Sequence, residues 1–168
     1  IGDSQSLRVK NNLVLNSVIT LSGSLTSYNR SLYFDGSQTL SGTGEVVMGG
    51  TNGDSLDYLY LNAPYGPITV TIGSGVTIHG MGKIQDSGFS NTLINQGVIR
   101  ADVSGKTLTV SPGSWTNVGL LKAESGGILS VGGTFTQTGV GTFDSTGGTV
   151  SIIAVSYTHL TLPTKRIV

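Results

Sequence analysis

Residues 95–110 read NQGVIRADVSGKTLTV, residues 117–131 read NVGLLKAESGGILSV, and residues 137–152 read QTGVGTFDSTGGTVSI. The three stretches align on Gly97, Gly119 and Gly139, which lie 22 and then 20 residues apart. Two residues ahead of each leading Asn or Gln stands a bulky apolar side chain: Leu93, Trp115 and Phe135. Further along each unit come Leu108 and Val110, Leu129 and Val131, Val150 and Ile152. Self-similarity at a fixed period of about 20 residues is the mark of a repeat architecture.

Inside each unit the alternation has period two. Leu108 and Val110 point one way and Thr107 and Thr109 the other. Each apolar run is too short for a helix and is closed by Gly or Ser-Gly. One such unit cannot bury its apolar face alone, whereas a stack of copies can. Stacking sets equivalent residues about 4.8 Å apart and pairs the backbones as parallel strands. The expected fold is all-β, a parallel β-solenoid with rungs of about 20–22 residues. Its core should hold Leu93, Ile99, Leu108, Val110, Trp115, Leu121, Leu129, Val131, Phe135, Phe143, Val150 and Ile152. Arg100, Lys122, Thr107 and Thr109 should face outward. In the third unit this alignment sets Gly141 against Ile99 and Leu121, and Phe143 against Ala101 and Ala123. A large side chain is then lost beside one gained, as constant core volume requires.

Upstream the repeat loosens. LSGTGEV at residues 40–46 resembles IHGMGKI at residues 78–84, 38 residues on, or nearly two units. Between them TNGDSLDYLYLNAPYGP, residues 51–67, carries three tyrosines and two prolines and reads as a long loop or bulged rung.

Composition agrees with strands and tight turns. The chain has 168 residues, 26 of them Gly, only 11% charged residues and no Cys. Net charge is zero, so no basic patch points to nucleic acid. No apolar run approaches the roughly 20 residues that span a bilayer. The absence of Cys removes disulfides and thiol-ligated zinc from consideration.

NQGVIRA and NVGLLKA, with the linking SWTN and TFTQ, resemble repeats of bacterial secreted right-handed β-helix proteins, among them autotransporter passengers and filamentous-haemagglutinin-like adhesins. The resemblance is strongest over residues 36–153. It implies an extracellular or cell-surface location and a structural or adhesive segment of a large protein, without catalysis. The implied partners are surface glycans, host or matrix molecules, and neighbouring rungs of the same chain. The alternative is part of a carbohydrate-active β-helix enzyme, a polysaccharide lyase or glycoside hydrolase.

The end of the chain has another style. Residues 155–168, VSYTHLTLPTKRIV, contain no Gly. Read as codons, residues 155–164 can be written GTC TCT TAT ACA CAT CTG ACG CTG CCG ACG. This resembles a transposase-based sequencing adapter translated in frame. Ala154, Lys165 and the terminal Val168 satisfy the flanking codon constraints. The expectation is a solenoid fragment over residues 1–153, open at both ends, followed by a foreign tail over residues 154–168. Removing residues 155–168 takes away Lys165 and Arg166 and no acid, leaving a charge of −2.

Candidate chemistry is sparse. Asp54, Asp57, Tyr58 and Tyr60 form the richest cluster, because the carbohydrate-active β-helix enzymes it would resemble gather Asp on an exposed strand face and tyrosines can stack on sugar rings. The competing reading is a loop whose tyrosines cover the solenoid flank. Asp102, Glu124 and Asp144 occupy equivalent places beside a turn in the alignment. Stacked, they would form an acidic ladder open to calcium or to paired-carboxylate glycosidase chemistry. Ordinary turn chemistry is the preferred reading, since Asp and Ser before Gly are common turn residues, with Arg100 and Lys122 two residues back to offset the charge. No metal and no cofactor is therefore assigned. His79, between Ile78 and Gly80, reads as an outward strand residue.

Overall fold

Short alternating runs bury one side each, and the glycines between them let the chain turn through three directions per rung. The computed structural model describes residues 1–24, 27–49, 56–135 and 141–153. The first turn consists of β1 (Ser6–Val9), β2 (Leu13–Leu15) and β3 (Val18–Leu21). The second has β4 (Arg30–Asp35), β5 (Gln38–Gly42) and β6 (Glu45–Met48). The third has β7 (Asp57–Ala63), β8 (Thr69–Ile72) and β9 (Thr77–Gly80). The fourth has β10 (Gly82–Gly88), β11 (Thr92–Asn95) and β12 (Val98–Ala101). The fifth has β13 (Thr107–Ser111), β14 (Ser114–Asn117) and β15 (Leu120–Ala123). Beyond it lie β16 (Ile128–Val131), β17 (Thr142–Asp144) and β18 (Thr149–Ile152).

Strands from successive turns pair in parallel and build three sheets. The first runs β1-β4-β7-β10-β13-β16-β18, the second β2-β5-β8-β11-β14 and the third β3-β6-β9-β12-β15-β17. Five turns contribute to all three sheets. This is the expected β-solenoid.

The inward side chains form columns along the axis. In the first sheet Leu7, Leu32, Leu59, Ile84, Val110, Val131 and Ile152 lie one above another. In the third, Ile19, Val46, Ile78, Ile99, Leu121 and Phe143 do the same. In the second, Leu93 lies over Val70 and pairs with Trp115. The Trp115 and Phe135 rings follow at 4.5 Å between centroids. Trp115 Nε1 donates to the Gly132 carbonyl at 2.7 Å, so the buried indole leaves no unpaired donor.

The Asn-x-Gly signature is a corner. Asn95 and Asn117 are buried and in register. Asn95 Nδ2 donates to Asn117 Oδ1 at 2.7 Å, and Asn117 Nδ2 donates to the Thr142 carbonyl at 3.2 Å. The ladder pairs the buried amide nitrogens where the chain leaves one sheet for the next, while Asn95 Oδ1 has no hydrogen-bond partner there. A Cβ on Gly119 would stand 2.1 Å from the Gly97 carbonyl oxygen, so only glycine lets the rungs close to strand spacing there.

The structure corrects several sequence expectations. Gly141 follows Gly119 in register, because Leu120 pairs with Thr142 and Leu121 with Phe143. The third unit is therefore displaced by two residues from the alignment on Gly139. Phe143 continues the Ile99–Leu121 column, and no volume exchange with Ala101 and Ala123 occurs. Gly139 lies outside the described residues. Phe143 and Val150 are half-buried and Ile152 is 49% exposed, although all three were expected in the core. β17 and β18 end their sheets, with a paired strand on one side only among the described residues.

Rung spacing is also less regular than 20–22 residues. It is 21 from Thr107 to Ile128, 27 from Arg30 to Asp57 and 32 from Leu40 to Ile72. LSGTGEV therefore stacks under residues 72–78, with Leu40 against Ile72 and Val46 against Ile78, and not under IHGMGKI. Within residues 51–67, expected as a loop or bulge, Asp57–Ala63 is a regular strand with alternating burial and partners on both sides. The extra length falls at residues 64–68, between β7 and β8. Only Gly36 and Ser37 join β4 to β5. Residues 50–55 and the whole tail, 154–168, lie outside the described residues.

Candidate functional site

The outer face of the first sheet carries the tyrosines. Tyr33 pairs in register with Tyr60, and their rings stack at 4.9 Å with planes 20° apart. Tyr58, two residues along the same strand, stacks on Tyr60 at 5.1 Å and 5°. Arg8 lies over Tyr33 at 4.5 Å, and Lys83 lies over Tyr58 at 5.8 Å. The rings spend their faces on one another and on two cations, an arrangement stabilised by quadrupole and cation–π attraction. Burial raises the Tyr60 phenol, and the neighbouring Tyr58 and Tyr33 add to the rise. The stack is thus a rung-spanning brace whose ring faces are taken up largely by one another and by two cations.

Asp57 is turned the other way. It is fully buried beside Arg30, itself only 2% exposed. Arg30 Nε donates to Asp57 Oδ1, and Arg30 Nη1 donates to Asp3 Oδ1 at 2.9 Å. Burial alone would lower the Arg30 guanidinium, but its bonds to Asp57 and Asp3 hold it above the usual range. The pair lies in an inward column that continues through Gly82, Leu108 and Leu129. Of the expected Asp54, Asp57, Tyr58 and Tyr60, Asp57 and the two tyrosines therefore face opposite sides of β7. Asp57 serves the core, the two tyrosines serve the brace, and Asp54 lies outside the described residues.

The carboxylates of the third sheet alternate with cations. His79, Arg100, Lys122 and Asp144 share one outward column. Asp102 Oδ2 meets His79 Nδ1 at 2.8 Å and Arg100 Nε at 3.1 Å. Glu124 meets Lys122 Nζ at 2.7 Å and Arg100 Nε at 3.4 Å, and Asp144 meets Lys122 at 3.5 Å. Asp144 stands across from Lys122, so the expected equivalence of Asp102, Glu124 and Asp144 fails at its third member. The Lys122 hydrogen bond lowers Glu124, while bonds from Thr146 lower Asp144. No group of three or more metal-ligating side chains converges among the described residues. His79 faces outward from β9, as its sequence context suggests, with Asp102 as its partner.

Sequence reasoning missed a hollow of about 750 Å³ under residues 64–68. The longer β7–β8 connection overhangs the corner of the two preceding rungs. Its lining includes Arg8, Lys10 and Asn11 of the first turn, Asp35 of the second with the Gly36 that follows it, and Asn62 with Tyr65 of the third. Arg8 grips Asp35 through two bonds, Nε to Oδ2 at 2.8 Å and Nη2 to Oδ1 at 2.6 Å. Asn62 Nδ2 donates to Asp35 Oδ1 at 2.7 Å. Burial pushes the Asp35 carboxyl up, but the bonds from Arg8 and Asn62 outweigh this and hold it below the usual carboxylate range. Tyr65 projects with 97% of its surface exposed, between Pro64 and Pro67. The sequence signal was present as P-Y-G-P. What it lacked was the neighbours supplied by the first and second turns.

No family model, curated protein or solved structure matches the chain.

Proposed function

We propose that this chain is a structural or adhesive segment of a large bacterial cell-surface or secreted β-solenoid protein and that it performs no catalysis. The supporting observation is the direction of its interactions. Inward columns, the corner asparagines, the Tyr33–Tyr60 stack and the Arg100–Glu124, Lys122–Asp144 and His79–Asp102 pairs link one rung to the next along the axis. A chain built this way serves as a shaft whose outer faces display side chains at strand spacing. The resemblance of NQGVIRA and NVGLLKA to exported β-helix repeats supports a surface location. Surface glycans or host matrix molecules are the partners proposed for it.

The location is tested with an antibody raised to the purified rod and applied to cells of the producing organism. Labelling of intact, unpermeabilised cells supports the proposal. Labelling that appears only after permeabilisation overturns it.

A further inference from the structure

The insertion that breaks the rung spacing also creates the hollow beneath it, and its lining has a definite chemistry. Pro64 and Pro67 each fix their own backbone φ on either side of Tyr65 and Gly66, which narrows the conformations of the loop. A single exposed aromatic residue is unremarkable in itself. This one borders a concavity whose volume lies within the range of small-molecule sites. Its ring, unlike Tyr33, Tyr58 and Tyr60, is almost wholly exposed, so its faces are open to a ligand.

The polar lining is not balanced in charge. Arg8 and Asp35 neutralise one another through their two-point bond. Lys10 is exposed and makes no ion pair among the described residues, which leaves the lining one positive charge in excess. The amides of Asn11 and Asn62 add planar donors and acceptors beside it. A flat ring suits the C–H face of a pyranose, amides suit vicinal hydroxyls, and a free ammonium suits a carboxylate.

We infer that the hollow beneath residues 64–68 is a binding site for a carboxylated sugar, with Tyr65 stacking on the ring, Lys10 pairing with the carboxylate, and Asn11 and Asn62 reading hydroxyls. The inference deepens the adhesive reading above and rests on it for the biological role of the glycan. Arg8 also packs over Tyr33, so the brace of the first sheet holds the wall of the site in place.

The experiment is calorimetric titration of the whole chain with a hexamer of galacturonate, with sialyllactose, and with neutral hexamers of glucose and of N-acetylglucosamine. At least one carboxylated probe should bind more tightly than the neutral ones, with affinity falling as salt is raised. Tyr65→Ala and Lys10→Ala should each weaken that binding by about tenfold, a factor that corresponds to one contact of about 1.4 kcal/mol. Tyr65→Ala should leave the melting temperature unchanged, because the side chain is almost fully exposed. Lys106→Ala, on the turn before β13, serves as the control and should bind as the parent does. Carboxylated-glycan binding that survives both Tyr65→Ala and Lys10→Ala overturns the site while leaving a glycan-binding role in place. Absence of binding to every probe, or equal binding of neutral and carboxylated probes, also overturns it. Failure of surface labelling overturns the shaft reading without touching the site.

Discussion

Asp86 shows how a single residue can oppose the rule of its column. It pairs in register with Leu61, which follows Val9 and Phe34 in an inward column. Asp86 Oδ2 accepts from the backbone of Asn91 at 3.0 Å and of Gly113 at 2.7 Å, while its buried Oδ1 has no partner. Burial raises its pKa, and the hydrogen bonds from Asn91 and Gly113 only partly offset that. A carboxyl whose folded-state value lies above its unfolded value binds its proton more tightly when folded. Its penalty is absent below the unfolded value, about 3.9, and grows as pH rises through the folded value. Asp86→Asn keeps an acceptor oxygen and carries no charge. It should raise stability at pH 7, and the gain should shrink towards pH 3, measured by urea unfolding at both. A variant less stable than the parent at pH 7 would contradict this. Gly119→Ala should lower stability by about 1–3 kcal/mol, the usual cost of forcing atoms into a packed site, because the new Cβ meets the Gly97 carbonyl. An unchanged urea midpoint would show that the corner can open. The same contact explains why the third unit was misread in the sequence. Gly139 fits the motif spacing, two residues after Gln137, whereas Gly141 has Gly139 and Val140 ahead of it. A Cβ on Gly141 would stand 2.0 Å from the Asn117 carbonyl oxygen, which identifies it as the corner. The signal was available, since Gly141 follows Gly119 by the same 22 residues that separate Gly119 from Gly97.

At the scale of the strand, position along the axis decides what a side chain is worth. Leu59 and Ile152 belong to one column, yet Leu59 is wholly buried in β7 and Ile152 is 49% exposed in β18. Leu59→Ala should cost about 2–5 kcal/mol, the range for deleting a buried leucine. Ile152→Ala should cost about 0.5 kcal/mol or less, as at other weakly buried positions. Chemical denaturation of the two variants checks the contrast, and equal losses would mean that β18 is covered as fully as β7. Strand register was legible from residue 93 to residue 131 for a physical reason. There the corners are short, so apolar side chains recur at nearly constant distance from a corner glycine. Upstream the corners differ in length, and the comparison of LSGTGEV with IHGMGKI matched different corners. Gly42 and Gly44 turn the chain from the second sheet into the third, whereas Gly80 and Gly82 turn it from the third into the first. Paired glycines mark a corner but do not say which. The candidate site was less legible still. Alternation placed Tyr58 and Tyr60 outward, but the partners that occupy their rings, Arg8, Tyr33 and Lys83, come from other rungs. No local pattern reveals a neighbour 25 to 27 residues away when the rung length itself varies.

For the whole molecule, the stack of described strands presents an unpaired strand edge at each limit. β1, β2 and β3 each end their sheets, as do β14, β17 and β18 at the other limit of the described strands. Strand edges and a core open at the end recruit further strands. The purified chain is therefore expected to self-associate end to end, and neighbouring rungs added to either side should suppress this. Light scattering with and without EDTA measures it. Association should be insensitive to the chelator, because the third-sheet carboxylates take Arg100, Lys122 and His79 as partners. A chain that remains monomeric at high concentration would mean that its ends are capped, and unfolding on chelation would reinstate a cation among Asp102, Glu124 and Asp144. The central claim is the parallel, in-register stacking of rungs, and the lack of cysteine makes it directly measurable. Thr109 and Ser130 are backbone partners on adjacent turns of the first sheet, whereas Thr109 and Lys122 belong to different sheets. Cysteines introduced at each pair can be spin-labelled and their dipolar broadening recorded. The Thr109–Ser130 pair should show the strong broadening of labels on strands about 5 Å apart, and the Thr109–Lys122 pair should show markedly less. Equal broadening in the two pairs, or none at Thr109–Ser130, would contradict the solenoid register on which the rest of the account depends.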